Sequence, residues 1–153
     1  MEEAGPSPVG LLGGDMTRLQ EMLLRHEGLR LKPYRDTVGK LTVGVGRNLD
    51  DLGISRQEAL YLLRNDINRV RREVRHAFPW FDGLNGVRKN VILDMVFNMG
   101  LPGFRQFKKT IAAIREKRWR EAAVEMLDSR WARQVGKRAR DLSAMMETGR
   151  TVD

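Results

Sequence analysis

The sequence predicts a mainly α-helical α+β protein, with a small β-containing N-terminal lobe, a long connecting helix and a helical C-terminal lobe. Three observations support this fold class. Residues 34–46 are rich in glycine and in β-forming residues. Residues 60–77 carry apolar side chains at helical spacing. Residues 84–99 are apolar over so much of a helix circumference that they should form a buried core helix.

The N-terminal lobe should begin with a helix and continue as β-structure. A T-x-x-Q capping box from Thr17 starts the helix. The helix should end near Gly28–Leu31, because Pro33 disfavours helix at the residue before it. The run TVGVG at residues 42–46 and a turn at Gly39 then predict a hairpin or a small three-stranded sheet.

The C-terminal part is predicted to be helical. An S-x-x-E capping box from Ser55 precedes the long helix, which Pro79 ends. The apolar stripe of that helix consists of Leu60, Leu63, Ile67, Val70, Val74 and Ala77. Shorter helices should follow the GLPG break at residues 100–103, near residues 104–115, 119–128 and 138–147.

The length of 153 residues suits one compact domain that needs no metal or disulfide to fold. We expect residues 1–15 to be a flexible leader and residues 16–153 to form that domain. Its small lobe should span about residues 16–57, its connecting helix about 58–78 and its helical lobe about 79–153. Two lobes joined by a helix leave a cleft, and such clefts are favoured ligand sites.

The composition excludes several kinds of site. The chain has no cysteine, which excludes disulfides, thiolate zinc sites and cysteine nucleophiles. It has two histidines, so a histidine-rich metal site is not expected, and we predict no metal and no cofactor. No apolar run approaches the ~20 residues of a membrane span, and the N-terminus lacks the features of a secretory signal. We therefore expect a protein that is made in the cytoplasm.

Glu27, Asp36 and Thr42 are the candidate residues for chemistry. Glu27 stands at a helix end among leucines, where apolar surroundings would keep a proton on its carboxyl group. Asp36 should lie in a hydrated loop and stay ionised, and Thr42 could hold a water molecule. A proton donor facing an ionised carboxylate is what glycoside hydrolysis needs. Spacing alone favours a simpler interpretation, in which Glu27 caps its helix or pairs within it and Asp36 is a turn residue.

Longer strings of residues change this interpretation. They are RHEGLRLKPYRDT at residues 25–37, TVGVG at 42–46, DMVFNMG at 94–100, KRWREAA at 117–123, SRW at 129–131 and TG at 148–149. Together they resemble the phage-type (T4-like) lysozymes over about residues 16–151. The family pattern is a glutamate, eight residues, an aspartate or cysteine, five residues and a threonine, and Glu27, Asp36 and Thr42 match it.

The resemblance implies a lysozyme-like two-lobed fold and a muramidase of the endolysin type. Such an enzyme hydrolyses the β-1,4 bond between N-acetylmuramic acid and N-acetylglucosamine in peptidoglycan, with inversion at the anomeric carbon. It implies that Glu27 protonates the leaving oxygen, that Asp36 activates water or stabilises the transition state, and that Thr42 helps to place the water.

The same resemblance assigns further residues to the cleft. It makes Arg138 the partner of the catalytic glutamate, and it places Tyr34, Gly46, Phe97 and Asn98 along the cleft. Plain core packing explains Phe97 equally well, and a surface position in a basic stretch would explain Arg138.

Two departures from the family are expected to matter. The residue after Gly46 is Arg47, where the family carries a histidine, and we predict an Arg47–Asp66 ion pair between the small lobe and the long helix. The segment between Asn48 and Ser55 is shorter than in the family, so the small lobe should have fewer strands or a tighter loop.

The charge of the chain bears on its partners. The net charge is +8, and residues 115–140 carry nine Arg or Lys against four Asp or Glu. A basic protein is drawn to polyanions, here peptidoglycan and anionic envelope polymers or lipid, with no specific nucleic acid. A monomer is the default expectation. The resemblance adds that the protein waits in the host cytoplasm and depends on a holin to reach the wall.

Two alternatives from other functional classes stay open. A lytic transglycosylase would act on the same bond and would need only the acidic Glu27, so the presence of Asp36 and Thr42 favours the hydrolase. A non-catalytic basic module would bind nucleic acid with a steep salt dependence and would not use Glu27 or Asp36.

Overall fold

A computed structural model describes residues 16–152, and the predicted leader at residues 1–15 lies outside this range. The described chain divides into two compact units, residues 16–59 and residues 60–152. The lobe boundaries predicted above, and the cleft between the lobes, stay predictions.

The order of elements confirms the predicted mainly α-helical α+β, lysozyme-like fold. The first unit holds α1 (Arg18–Glu27), β1 (Arg30–Arg35), β2 (Leu41–Gly44), β3 (Arg47–Asn48) and the start of α2 (Arg56–Ala77). After the 3₁₀ turn Pro79–Gly83, the second unit continues with α3 (Gly86–Arg105), α4 (Lys108–Arg115), α5 (Trp119–Leu127), α6 (Arg130–Val135) and α7 (Lys137–Thr148).

Helix α1 starts and ends where the sequence predicts. The Thr17 hydroxyl accepts a hydrogen bond from the Gln20 amide at 3.1 Å, and the Gln20 side chain accepts one from the Thr17 amide at 2.7 Å. Gly28 ends the helix with φ +76°, a conformation that only glycine adopts without strain. No residue of α1 is buried, so its apolar side chains do not contribute to a core within the described unit.

The sheet is antiparallel with the order β1-β2-β3. Strand β1 begins at Arg30, earlier than the predicted β-segment, because it is an edge strand and an edge tolerates the missing amide of Pro33. Thr42 in β2 lies opposite Tyr34 in β1 and Asn48 in β3. It is 3% exposed, and it is the one buried residue among those described in this unit.

Helix α2 begins at the predicted capping box. The Glu58 amide donates to the Ser55 hydroxyl at 3.0 Å, and the Glu58 carboxylate accepts from the Ser55 amide at 2.7 Å. Its apolar stripe is buried only toward its C-terminal end, at Val70 and Val74. The loop between Asn48 and Ser55 is closed by the Asn48 side chain, which accepts a hydrogen bond from the Asp51 amide. That this segment is shorter than in the family stays a prediction.

The hydrophobic core lies in the second unit, around α3. As predicted for this segment, α3 is a core helix, and four of its residues are fully or almost fully buried: Val91, Ile92, Met95 and Val96. Phe104, near the end of α3, packs with them, and the other helices contribute Ile114, Met126, Trp131, Leu142 and Met146. Among residues 16–152, no helix is both long enough and apolar enough to cross a membrane.

Two details of the helical unit differ from the prediction. The break at Gly100 is present as a kink with φ +80°, but helix resumes and runs to Arg105, so the predicted helix at 104–115 starts only at Lys108. Helix α6 was not predicted, although Ser129 is a typical N-cap residue. The Ser129 hydroxyl accepts a hydrogen bond from the Ala132 amide at 3.0 Å, and the helix is only six residues long.

Candidate functional site

Glu27 is the last residue of α1, and Gly28 turns the chain from it into β1. The prediction of an apolar environment is wrong for this residue, because Glu27 is exposed and so are Leu23, Leu29 and Leu31 around it. A carboxylate at a helix C-terminus faces the negative end of the helix dipole. Helix stability therefore does not account for an acidic residue here.

The Glu27 carboxyl group lies against the backbone of Gly46. A Cβ atom added to Gly46 would be 2.9 Å from Glu27 Oε1 and 3.2 Å from its Cδ. Gly46 has φ +71° and belongs to the turn Gly44–Arg47 between β2 and β3. Only a residue without a side chain allows this approach. The structure thus places the predicted Gly46 beside the predicted acid.

Asp36 opens the turn between β1 and β2. Its Oδ1 accepts hydrogen bonds from the amides of Val38 at 3.0 Å and Lys40 at 2.8 Å. Among the described residues of the first unit, no donor is bound to Oδ2. The residue is therefore a turn aspartate, as the simpler interpretation expected, and one oxygen of its carboxylate remains able to accept a proton.

Thr42 is linked to Asp36 through the backbone of Lys40. The Lys40 carbonyl accepts hydrogen bonds from the Thr42 hydroxyl at 2.9 Å and from the Asp36 amide at 2.9 Å. Since the hydroxyl proton is used in this bond, the Thr42 oxygen presents only acceptor lone pairs to other partners. A water molecule at this point would direct a hydrogen toward the threonine.

Tyr34 borders the same part of the sheet. It is half-buried in β1, directly across from Thr42. The Arg30 guanidinium lies 4.4 Å from the centre of the Tyr34 ring, which orients the ring by a cation–π contact. Glu27, Tyr34, Asp36, Thr42 and Gly46 thus all belong to the first unit.

The predicted Arg47–Asp66 pair is wrong. Arg47 binds Glu58 through both ends of its guanidinium, with Nη1–Oε1 at 2.7 Å and Nη2–Oε2 at 2.6 Å. Arg47 lowers the pKa of Glu58 to about 2. Asp66 instead pairs with Arg69, one turn along the same helix. The expected link between the sheet and the long helix exists, but it reaches the first turn of the helix.

Arg138 and Phe97 line one pocket of about 340 Å³ in the second unit, together with Leu63, Ile67, Arg71, Asn90, Leu93 and Asp94. Arg138 donates to Asp94 Oδ1 through Nε at 2.8 Å. Its predicted contact with Glu27 joins the two units and stays a prediction. Phe97 is 44% exposed, so it lines a surface rather than filling the core.

Asn98 has a different surrounding from Phe97. It does not line that pocket, and its Oδ1 accepts a hydrogen bond from the Trp131 indole at 2.8 Å. Trp131 is 7% exposed and belongs to the core, as expected for a packing residue. Asn98 therefore satisfies a buried donor, and a role toward a ligand stays a prediction. No three His, Asp or Glu side chains in the described chain form a metal site.

The comparisons with known proteins agree with these motifs. The model of the phage lysozyme family matches residues 24–147, a range that includes every predicted site residue. The chain belongs to the phage lysozyme family. Two relatives in Dictyostelium discoideum, probable T4-type lysozymes 2 and 1, are 29% and 28% identical to it, each over 88% of this chain and 96% of the relative.

A third relative of this phage lysozyme family member is a longer protein. The pre-baseplate central spike protein Gp5 of Enterobacteria phage T4 is 28% identical over 86% of this chain, and the match covers 28% of the spike protein. The same domain therefore occurs both as most of a protein and as one part of a larger one.

Two site residues were missed by the sequence analysis, and each had a signal. Glu58 was assigned to a capping box, but its second role as the partner of Arg47 was not foreseen. Asp94 was quoted only as part of a motif. It is the one charged residue between Val91 and Asn98 in the core helix of this lysozyme, and an isolated carboxylate in an apolar run needs a partner.

Proposed function

We propose that this lysozyme-type peptidoglycan hydrolase cleaves the β-1,4 bond between N-acetylmuramic acid and N-acetylglucosamine. The observation that carries the proposal is the placement of Glu27 against the Gly46 backbone, in the unit that also holds Asp36 and Thr42 around Lys40. These residues match the family pattern in identity and spacing.

In the proposed reaction Glu27 is the general acid. Its carboxyl proton passes to the glycosidic oxygen as the bond to the anomeric carbon breaks, so the glucosamine product leaves with a neutral hydroxyl. The positive charge that develops on the muramyl ring is met by water, which forms the new bond to the anomeric carbon.

Asp36 and Thr42 act on that water. One water hydrogen points to the Thr42 oxygen, which can only accept because its own proton is bound to Lys40. The other hydrogen is taken by the free Oδ2 of Asp36, while Oδ1 stays fixed by the two turn amides. The water oxygen then faces the sugar. Attack from this side inverts the anomeric centre, and solvent returns the proton from Asp36 to Glu27.

The experiment is release of soluble muropeptides from purified peptidoglycan, measured by mass spectrometry. We expect reducing-end products from the wild type and none from Glu27→Gln or Asp36→Asn. Asp51→Asn is the matched control, because Asp51 is an exposed carboxylate of the same unit that binds the Lys40 side chain at 3.1 Å. Anhydro products that survive in Asp36→Asn would establish a transglycosylase, and inactivity of the wild type would overturn the proposal.

We further propose that the enzyme serves as an endolysin in host cell lysis, held in the host cytoplasm until a holin opens the membrane. The family membership supports this role. Expression in a bacterial cytoplasm should leave cells intact until a holin is co-expressed. Lysis without the holin would contradict the proposal, and Glu27→Gln with the holin controls for damage by the holin alone.

Electrostatic attraction to anionic envelope polymers is proposed as the partner interaction. The described residues 60–152 carry 20 Arg or Lys and 10 Asp or Glu. On α2, the exposed Arg64, Arg71 and Arg72 share a face of the helix with Arg75, which is paired with Asp82. Reversing Arg115, Arg133 and Arg140, in the basic stretch at residues 115–140, to glutamate should weaken binding to anionic vesicles more than reversing Arg64, Arg71 and Arg72, which changes the net charge equally. Equal weakening would assign the effect to net charge alone.

A further inference from the structure

We propose that the Arg47–Glu58 ion pair is the positioning device for Glu27, because it ties the turn Gly44–Arg47 to the first turn of α2 and so fixes the Gly46 backbone that supports the Glu27 carboxyl. The inference rests on the proposed role of Glu27 as the general acid. Neither Arg47 nor Glu58 touches the substrate in this scheme.

Glu27 depends on Gly46 for its position. Among the described residues of the first unit, 16–59, no hydrogen bond to a side chain or backbone group holds the Glu27 carboxyl, and the residue is exposed at the end of its helix. The contact with Gly46, where an added Cβ would lie 2.9 Å from Oε1, is therefore the restraint that the first unit offers. If the Gly46 backbone moves away, the acid loses this restraint.

The sheet alone holds that turn weakly. Strand β3 has only two residues, which pair with Thr42 and Val43. Gly44 and Gly46 both have positive φ angles, of +74° and +71°, and glycine imposes little restriction on its own backbone. Arg47 is the one residue of the turn whose side chain can form hydrogen bonds.

The Arg47 side chain supplies the missing anchor. Besides its two bonds to Glu58, Nη1 also donates to the Gly53 carbonyl at 3.2 Å. Glu58 is itself fixed, because Ser55 and Glu58 cap the start of α2. A forked guanidinium–carboxylate pair defines geometry better than a point charge does.

Because both side chains of the Arg47–Glu58 pair are partly exposed, the pair should fix the position of the turn more than it stabilises the fold. The Arg47 and Glu58 side chains are 37% and 42% exposed, and ion pairs in such surroundings contribute little to folding free energy. The low pKa of Glu58 and the permanent charge of arginine keep the pair intact over the whole neutral and mildly acidic range.

The first test is steady-state kinetics of Glu58→Gln and Arg47→Lys on soluble uncross-linked peptidoglycan strands. We expect kcat to fall about 10-fold with KM within about twofold, since a misplaced catalytic group slows the chemical step rather than binding. Asp82→Asn is the control, because it breaks the exposed Arg75–Asp82 pair of the second unit and should leave kcat unchanged.

The second test replaces Arg47 with a residue whose charge changes near neutral pH. Arg47→His should add a fall in kcat as the pH rises through the histidine pKa, at about 6.5 or somewhat higher beside Glu58, relative to the wild-type profile. A purely structural role would shift the melting temperature with pH but leave kcat, measured well below that temperature, in constant ratio to the wild type.

The outcomes separate this inference from the proposed function. Wild-type kcat in Glu58→Gln, or a rise in KM with kcat unchanged, would overturn the positioning role while Glu27→Gln remained inactive. Activity in Glu27→Gln would instead overturn the proposed function itself. If Glu58→Gln fails to fold, Arg47→Lys and the pH profile of Arg47→His still decide the question.

Discussion

At the residue scale, Gly46 is subject to two separate constraints. Its φ of +71° disfavours any side chain, and an added Cβ would also meet the Glu27 carboxyl at 2.9 Å. Gly44 has a similar φ of +74°, but nothing lies within 4 Å of its Cβ position. A comparison of the two glycines therefore separates the effect of backbone strain from the effect of contact with the Glu27 carboxyl group.

We predict that Gly46→Ala and Gly44→Ala lose similar stability, about 1–2 kcal/mol each, for the left-handed backbone. Only Gly46→Ala should also lose activity, by up to about 10²-fold, because it displaces Glu27. Thermal unfolding and muropeptide release measure the two effects. Equal activity in the two variants would mean that the Gly46 contact does not position the acid.

The residues that sequence could assign are those with a motif of fixed spacing. Glu27, Asp36 and Thr42 follow from such a motif, and so do the caps at Thr17 and Ser55. The groups that contact these residues or their neighbours could not be assigned in the same way. The Lys40 carbonyl binds both Asp36 and Thr42, and the Glu58 carboxylate binds Arg47. Both contacts depend on how the turns fold, which residue spacing does not define.

At the element scale, the end of α4 departs from the usual preference for glycine in the left-handed position after a helix. Lys117 has φ +62°, although it is not glycine. Its amide bonds the Ile114 carbonyl at 3.0 Å, and the Arg118 amide bonds the Ala113 carbonyl at 2.7 Å. This is the Schellman pattern, in which the left-handed position is usually glycine.

Replacing Lys117 with glycine should therefore stabilise the protein. Relief of the left-handed backbone is worth about 1–2 kcal/mol, and the greater freedom of glycine in the unfolded chain offsets about 0.5–1 kcal/mol of it. We expect a net gain of up to about 1 kcal/mol by chemical denaturation. Lys117→Ala, which keeps a Cβ, should not show the gain, and a loss of stability in Lys117→Gly would contradict the argument.

The elements that the sequence predicted well have strong periodicity or caps. Helix α2 has both, and its predicted stripe is buried at Val70 and Val74, whereas α3 was predicted from its almost wholly apolar circumference, and Val91 in it is fully buried. The start of β1 was missed because an edge strand tolerates Pro33, and α6 was missed because six residues are too few to show a helical period.

At the scale of the whole molecule, burial is distributed unequally. Every residue of the hydrophobic core cluster lies at Val70 or beyond, in the second unit. The described part of the first unit contributes a single buried residue, Thr42. Cooperative stability should therefore originate in the helical unit.

Amide hydrogen exchange measures this difference. We expect the slowest exchange in α3, α5 and α7, near the global unfolding free energy, and markedly faster exchange in β1–β3, which can open locally. Uniform protection across Arg30–Asn48 and α3 would contradict the expectation. The buried Thr42 amide should be the most protected of the sheet.

Acid unfolding should depend on Glu58. Its pKa in the folded protein, about 2, lies below the ordinary value of 4.5, so its contribution to stability is complete above pH 4.5 and is lost as the pH falls toward 2. Glu58→Gln should lower stability at pH 7 by at most about 1 kcal/mol, since the pair is partly exposed. The difference from wild type should vanish near pH 2, and a constant difference would contradict this assignment.

The concentration of the core in one unit has a consequence for evolution. Substitutions in residues 16–59 disturb few buried contacts, so most of them should leave the folding of the helical unit unchanged. The proposed catalytic residues Glu27, Asp36 and Thr42 all lie in that permissive part of the chain. Surface side chains around them can therefore change to suit peptidoglycan of different composition, while the helical unit maintains the fold.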